Sequence, residues 1–442
     1  MAGAGAESEA RAGAAVEAGT SWRGRWGVLT TPVRLRISAE AITWLALAAG
    51  VVLRVSGYAE GRALYMDERS LLHNLRLPVF DFHTTLSEFQ LAPPGFLTLE
   101  RILVRLPGND VMTARTVALV CGIASLFLFR AVARRLLLPA AVPVAMGLLA
   151  LSDWLIYYSA EIKQYSSDLA IALAAILLTL RAGPSPERSH PRGLLALAIL
   201  GMVGVWFSYT LTLILAAVGT YLIAGPLIRR DIRGTLVLAA MGAAWLLSFA
   251  GCYVVSHRIL SKDAFIWNWW DFAFLPIPPR SAAELKTDFW AIANMFDSPS
   301  DVRMPIEMAA TAIVAMLLWI IGAVSLGWRR PGWLYLLTAP LVFTLAASAL
   351  HQYPFHGRLL IFLVPAVQML VAEGGAALAR AGGRPLAIAL GAFLLFQPVS
   401  DALWHRFVQP LGHVGYDSHG DLRPDLLDYL DHLGPHRAER QR

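Results

Sequence analysis

Charge is scarce in this chain. Of 442 residues, 15% are Asp, Glu, Lys or Arg, and 57% are hydrophobic. Soluble domains carry about 25% charged residues. Several apolar runs here approach the roughly 20 residues that cross a bilayer's hydrocarbon core. One soluble core has no room for so many, so the composition points to a membrane. Cysteine is scarcer still. Cys121 and Cys252 both fall inside apolar runs, which excludes a disulfide framework or a CxxC metal site and leaves them as small packing residues. The signatures of soluble nucleotide and hydrolase chemistry are also missing: no GxGxxG in a βαβ context, no P-loop and no GxSxG elbow. Eleven histidines show no HExxH spacing, and His351 and His356, five apart, give only a faint metal signal. Neither a metal nor a cofactor is called for. A net charge of +6 and a pI near 9.5 would suit nucleic acid. However, the arginines sit mostly in short loops between apolar runs, as positive-inside topology requires, so nucleic acid is set aside as a partner.

The pattern predicts an all-α polytopic membrane protein with about eleven transmembrane helices. Residues 1–38 read as a disordered cytoplasmic tail rich in Ala, Gly, Glu and Arg. They lack a signal peptide's apolar core, so the first span is expected to direct insertion. Residues 39–400 form the membrane domain and 401–442 a short extracytoplasmic tail, with a short amphipathic helix at Leu422–Leu430. Spans are expected at about 42–55, 113–131, 140–158, 167–181, 194–209, 211–228, 235–255, 305–326, 333–350, 359–379 and 386–399. Arg54 is expected to snorkel at the outer end of the first. The first outer loop, after Pro93-Pro94-Gly95, carries Phe96, Leu99, Leu103 and Leu106 at helical spacing, with Glu100, Arg101 and Arg105 on other faces. That is an amphipathic helix lying in the interface.

Charge sets the orientation. With the amino terminus inside, inner loops carry Arg130, Arg134 and Arg135; Arg181, Arg188 and Arg192; Arg229, Arg230 and Arg233; Arg329 and Arg330; and Arg380 and Arg384. Their acids are Glu187 and Asp231. Splitting 194–228 at Trp206-Phe207-Ser208-Tyr209 keeps this alternation, and merging it would reverse every later loop. The expected location is the plasma (inner) membrane. Asp67, Glu161, Arg358 and the aromatic 256–304 loop then share the outer face. Trp267, Trp269, Trp270, Phe272, Phe274 and Trp290 in that loop suit either an aromatic belt or a platform for a sugar ring or prenyl chain.

Two charged stretches stand out at span ends. Tyr65-Met66-Asp67-Glu68-Arg69 follows the first span, and Asp67 and Glu68 read as exposed or interfacial. Glu161-Ile162-Lys163-Gln164-Tyr165 is pinned between two apolar segments, where ionisable groups are costly and tend to be functional. Arg358 precedes an apolar run interrupted by Pro365. It suits an interfacial anchor or a phosphate grip.

In order and spacing, residues 40–400 resemble the GT-C superfamily of integral-membrane glycosyltransferases. They are most similar to its protein O-mannosyltransferase and aminoarabinose-transferase group, including RgtA/B/C/D-like enzymes. The resemblance rests on Asp67-Glu68 after span one, Pro93-Pro94-Gly95-Phe96 before the amphipathic helix, and Arg115 opening span two. It rests also on Tyr158-Ser159-Ala160-Glu161-Ile162-Lys163-Gln164-Tyr165, and on Tyr353-Pro354, Arg358 and Pro365 late in the chain. Lys163 stands where Arg is more usual, and Ala92 where many members have His. The large outer carboxyl-terminal domain of some members has no counterpart in this sequence.

The resemblance implies a polyprenyl-monophosphate sugar as donor and inverting transfer to an acceptor (protein, lipid or polysaccharide) on the outer face. Asp67 is expected as general base, with Glu68 beside it orienting either the acceptor or Asp67; as adjacent carboxylates, the two can exchange these roles. Glu161, Lys163, Tyr165, Arg358 and Arg115 are expected to bind the donor's phosphate or sugar. The alternative is a transporter or flippase of lipid-linked sugars, for which charges near the midplane and inverted repeats would be expected. The charges here gather at one face and no repeat is visible.

Overall fold

A computed structural model describes residues 38–183, 191–260 and 265–410. A backbone in hydrocarbon must satisfy its N–H and C=O groups internally, and every regular element among the described residues is a helix. Eight helical segments are long and apolar enough to cross a membrane. Two more apolar helices are shorter: α5 (Ala141–Leu151) and α8 (Pro191–Gly204). The last segment, Gly357–Phe407, covers two of the expected spans. Its helix α15 (Val364–Phe407) breaks at Gly383, where φ is 69°, between the spans expected at 359–379 and 386–399. The helix runs past the boundary expected at 400. The tail expected at the amino terminus, save Ser38, and the helix expected at Leu422–Leu430 lie outside the described residues.

Local chemistry explains the breaks. The span expected over 140–158 splits into α5 and α6 (Asp153–Tyr158) at Ser152, whose extended backbone and side-chain oxygen cap the Leu155 N–H. Helix starts are signalled by short polar residues. Asn109 caps α4 (Asp110–Leu136), which closes on Arg134 and Arg135, and Asp231 caps α10 (Ile232–Ile259), as helix-dipole and capping preferences require.

The bundle has a protein-facing centre and a lipid-like rim. Helix α7 (Tyr165–Ala182) is mostly buried. It packs against α4, α8, α9 (Leu211–Arg229) and the 3₁₀ turn Gly357–Leu363. Helix α10 instead exposes Leu236, Val237, Leu246 and Leu247, which suits a lipid-facing helix. Helix α14 (Pro331–Ala349) follows α13 (Met308–Arg329), and α13 and α15 touch backbone to backbone. A Cβ on Gly322 would lie 1.9 Å from the Leu370 carbonyl oxygen, and one on Gly374 1.9 Å from that of Leu318. Small residues allow such contact where no hydrophobic effect drives helices together.

Two expectations change. Arg54, in α1 (Ala39–Ala59), does not snorkel. It is fully buried, and its guanidinium donates to the carbonyls of Gly50, Ala150 and Leu149 at 3.0–3.2 Å. The break after α5 leaves carbonyls there for it to bind. The amphipathic helix forms as α3 (Pro94–Leu103), but Glu100 and Arg101 are on its buried side and Leu106 lies exposed beyond its end. Its start is docked on the turn after α8, with the Gly95 N–H donating to the Trp206 carbonyl at 2.8 Å. Gly95 permits that approach, since a Cβ there would sit 2.7 Å from the same oxygen.

Candidate active site

The first-loop acids fall in the opening turn of α2 (Met66–Leu75), where negative charge is favoured. Neighbours on a helix point about 100° apart, and this separates the pair. Glu68 turns inward and is 0% exposed. It reaches back to the Tyr65 N–H at 3.3 Å, the return half of a capping box. Arg115, 1% exposed, donates to both its oxygens at 2.9 and 2.8 Å. The Ile162 N–H donates to it at 3.1 Å. The reading of Glu68 as exposed or interfacial is therefore corrected: a carboxylate with a bidentate guanidinium and two backbone donors is a buried junction. Arg115 also donates to the Arg62 carbonyl at 2.9 Å. Its fork is spent on protein groups, away from any open face.

Asp67 faces the other way and stays 19% exposed. Arg358 donates to its Oδ2 at 2.9 Å, and the Lys163 ammonium lies 4.0 Å from the same oxygen. Lys163 is held by Gln90, whose side-chain amide oxygen Oε1 accepts from its ammonium at 2.6 Å. That placement is built from the loop. Asn74 on α2 accepts from the Ser87 N–H at 2.8 Å and donates to its carbonyl at 3.1 Å, which brings Gln90 back over the turn at 161–164. Burial pushes the Lys163 ammonium down from its usual range, and the Asp67 charge opposes this.

Glu161 is fully buried in the same turn. Burial first, and Glu68 next, push its carboxyl up to about 7, while Arg62 and Arg358 oppose the rise. Tyr165 opens α7 and packs edge-on against Tyr158, with ring centres 5.0 Å apart. All seven residues singled out in the sequence thus lie in one neighbourhood, drawn from four distant stretches of chain.

Two neighbours carried no sequence signal strong enough to find them. Arg62 lies over the Tyr157 ring, 3.7 Å from its centre, donates to the Tyr157 carbonyl at 3.2 Å and comes within 3.9 Å of Glu68. Its position in the loop just before α2 was the only hint. Gln90 offered none, because a neutral amide in a polar loop looks like any other. Among the described residues, no group of three or more His, Cys, Asp or Glu is arranged to hold a metal ion.

No family model matches the sequence, and no curated relative matches it. Solved structures do resemble the chain. An oligosaccharyltransferase of Archaeoglobus fulgidus, in complex with Zn and sulfate, is 11% identical, with a TM-score of 0.49; the match covers 82% of this chain and 52% of that one. The archaeal oligosaccharyltransferase AglB from the same organism, in complex with an inhibitory peptide and a dolichol-phosphate, is 13% identical at a TM-score of 0.43, covering 82% and 55%. ArnT from Cupriavidus metallidurans, in the apo state, is 14% identical at 0.36, covering 82% and 79%. The chain spans about half the length of the two oligosaccharyltransferases.

Proposed function

We propose that this chain is a membrane glycosyltransferase that moves a sugar from a polyprenyl-monophosphate donor to an acceptor hydroxyl on the outer face of the membrane. The observation that carries the reading is Asp67: a half-sheltered carboxylate held between two cations, Arg358 and Lys163, at the mouth of a buried charged junction. Two neighbouring cations of different shape suit a phosphate. Arg358 offers a planar fork, and Lys163 a compact point charge. A donor phosphate that takes both cations frees Asp67 from its ion pairs, so one binding event would seat the leaving group and uncover the base.

The chemistry then follows in a single displacement. The acceptor oxygen forms a bond to the anomeric carbon as the bond from that carbon to the phosphate oxygen breaks. The acceptor's proton passes to Asp67, and the charge left on the lipid phosphate stays with Lys163 and Arg358. One displacement inverts the anomeric configuration. Glu68 and Arg115 act as a positioning pair that fixes the first turn of α2 against the turn at Ile162. Glu161 and Tyr165 form the floor beneath the donor's phosphate and sugar.

Purified protein supplied with a polyprenyl-phosphate sugar and membrane extract as acceptor should release lipid phosphate. Asp67→Asn should slow that release by about 10²–10⁴-fold while leaving the thermal midpoint near that of the unaltered protein. Full activity in the variant would remove Asp67 as base.

A further inference from the structure

The chemistry above leaves unused an aromatic segment that lies beside Arg358. Trp270 closes α11 (Phe265–Trp270), and the centre of its ring lies 6.0 Å from the Arg358 guanidinium carbon. Phe272 stacks beside it with centres 6.1 Å apart and planes 23° apart. His356 stands edge-on to Phe272 at 5.1 Å and tilts toward Trp270 at 6.4 Å. Hydrogen bonds tie the segment to the 348–355 stretch at two points. The Phe355 N–H donates to the Ala273 carbonyl at 2.8 Å, and the Leu275 N–H to the Ser348 hydroxyl at 3.0 Å. Phe274 stacks on His351 at 4.9 Å. Yet Phe272 stays 45% exposed.

A core cluster would cover its rings. A belt at the membrane surface places rings by depth, with no relation to a catalytic arginine. Here the same arginine that holds Asp67 lies against the Trp270 ring, and the backbone ties keep that arrangement fixed. Flat rings present a negative face, and one side of a pyranose is a sheet of weakly positive C–H groups. In a phosphate-linked donor, the sugar hangs from an oxygen of the phosphate itself. A phosphate on Arg358 therefore delivers its sugar next to this wall.

We propose that Trp270, with Phe272 and His356, is the platform on which the donor's sugar ring stacks. This rests on the donor reading of the Asp67 site. The test compares binding of two lipids, polyprenyl phosphate with and without its sugar, to the full-length protein in detergent. The unaltered protein should favour the sugar-bearing lipid. Trp270→Ala should erase about tenfold of that preference and leave the bare lipid within about twofold. Trp270→Phe, which keeps a ring, should retain most of it. If Trp270→Ala leaves the preference intact, or weakens both lipids equally, the platform is wrong and the donor reading stands. If the unaltered protein binds neither lipid, the donor reading falls and the platform falls with it.

Discussion

Two charged clusters in this protein are built from the same residue types in opposite proportions. Around Asp67, the cations Arg62, Arg115, Lys163 and Arg358 outnumber the acids Asp67, Glu68 and Glu161. Around Arg303 the balance is reversed. Its guanidinium lies 3.4 Å from Asp153 and Asp297, 3.1 Å from Asp301 and 3.6 Å from Asp401, with His405 3.6 Å from Asp153. The Asp153 N–H also donates to Asp301 at 2.6 Å. One cation shared by four carboxylates has nothing left for an anion. It joins the break at Ser152, the loop after α12 (Ala282–Asp297) and the end of α15 into a clasp. The Asp67 cluster has more cations than acids and an accessible acid, the balance that the proposed phosphate donor would need. Proportion and access, more than the number of charges, separate a site from a clasp.

Perturbing each cluster should give different signatures. The largest effect is Asp67→Asn, which should remove activity and spare stability, as stated above. Next is Glu68→Gln. It leaves Arg115 buried without its charge partner and should cost about 3–5 kcal/mol of stability, read as a lowered thermal midpoint. If the midpoint holds and only turnover falls, Glu68 belongs to the chemistry and the division between the two acids is wrong. Arg303→Ala should cost less, about 2 kcal/mol, because Arg303 is 36% exposed and partly screened. Turnover per folded molecule should be unchanged. A selective loss of turnover there would dissolve the distinction between the clusters.

The last signature is read in pH. Glu161 is pushed from an ordinary 4.5 to about 7, and Glu100 on α3 to about 9, each chiefly by burial. Both carboxyls hold a proton more tightly folded than unfolded. The stability each contributes is present below its unfolded value and is lost as pH rises through its folded one. The thermal midpoint should therefore fall between about pH 4.5 and 9. Glu161→Gln should flatten the lower part of that slope, below about pH 7, and Glu100→Gln the whole of it. A midpoint that climbs across the window in the unaltered protein would contradict both assignments.

The path of the chain was largely written in the sequence. Apolar runs, capping residues and loop arginines are local signals. They placed the break at Trp206–Tyr209, the boundary near Gly383 and the amphipathic helix after Pro93-Pro94. They also marked Asp67-Glu68 and Glu161–Tyr165 as charges too close to apolar segments to be incidental. What they could not fix was which buried charge meets which. Arg54 looked like a snorkelling end residue until the carbonyls of Leu149 and Ala150 were brought beside it. Glu100 looked like the polar side of an interfacial helix until that side was turned inward. Gln90 became a ligand of Lys163 only because Asn74 pins the loop at Ser87. The two acids of the first loop are the clearest case. Adjacent in sequence and alike in chemistry, they were interchangeable until the turn of α2 aimed one at Arg115 and the other at Arg358. Hydropathy is a property of neighbours along the chain. The pairing of a buried charge depends on groups tens to hundreds of residues away, and only tertiary structure brings those together.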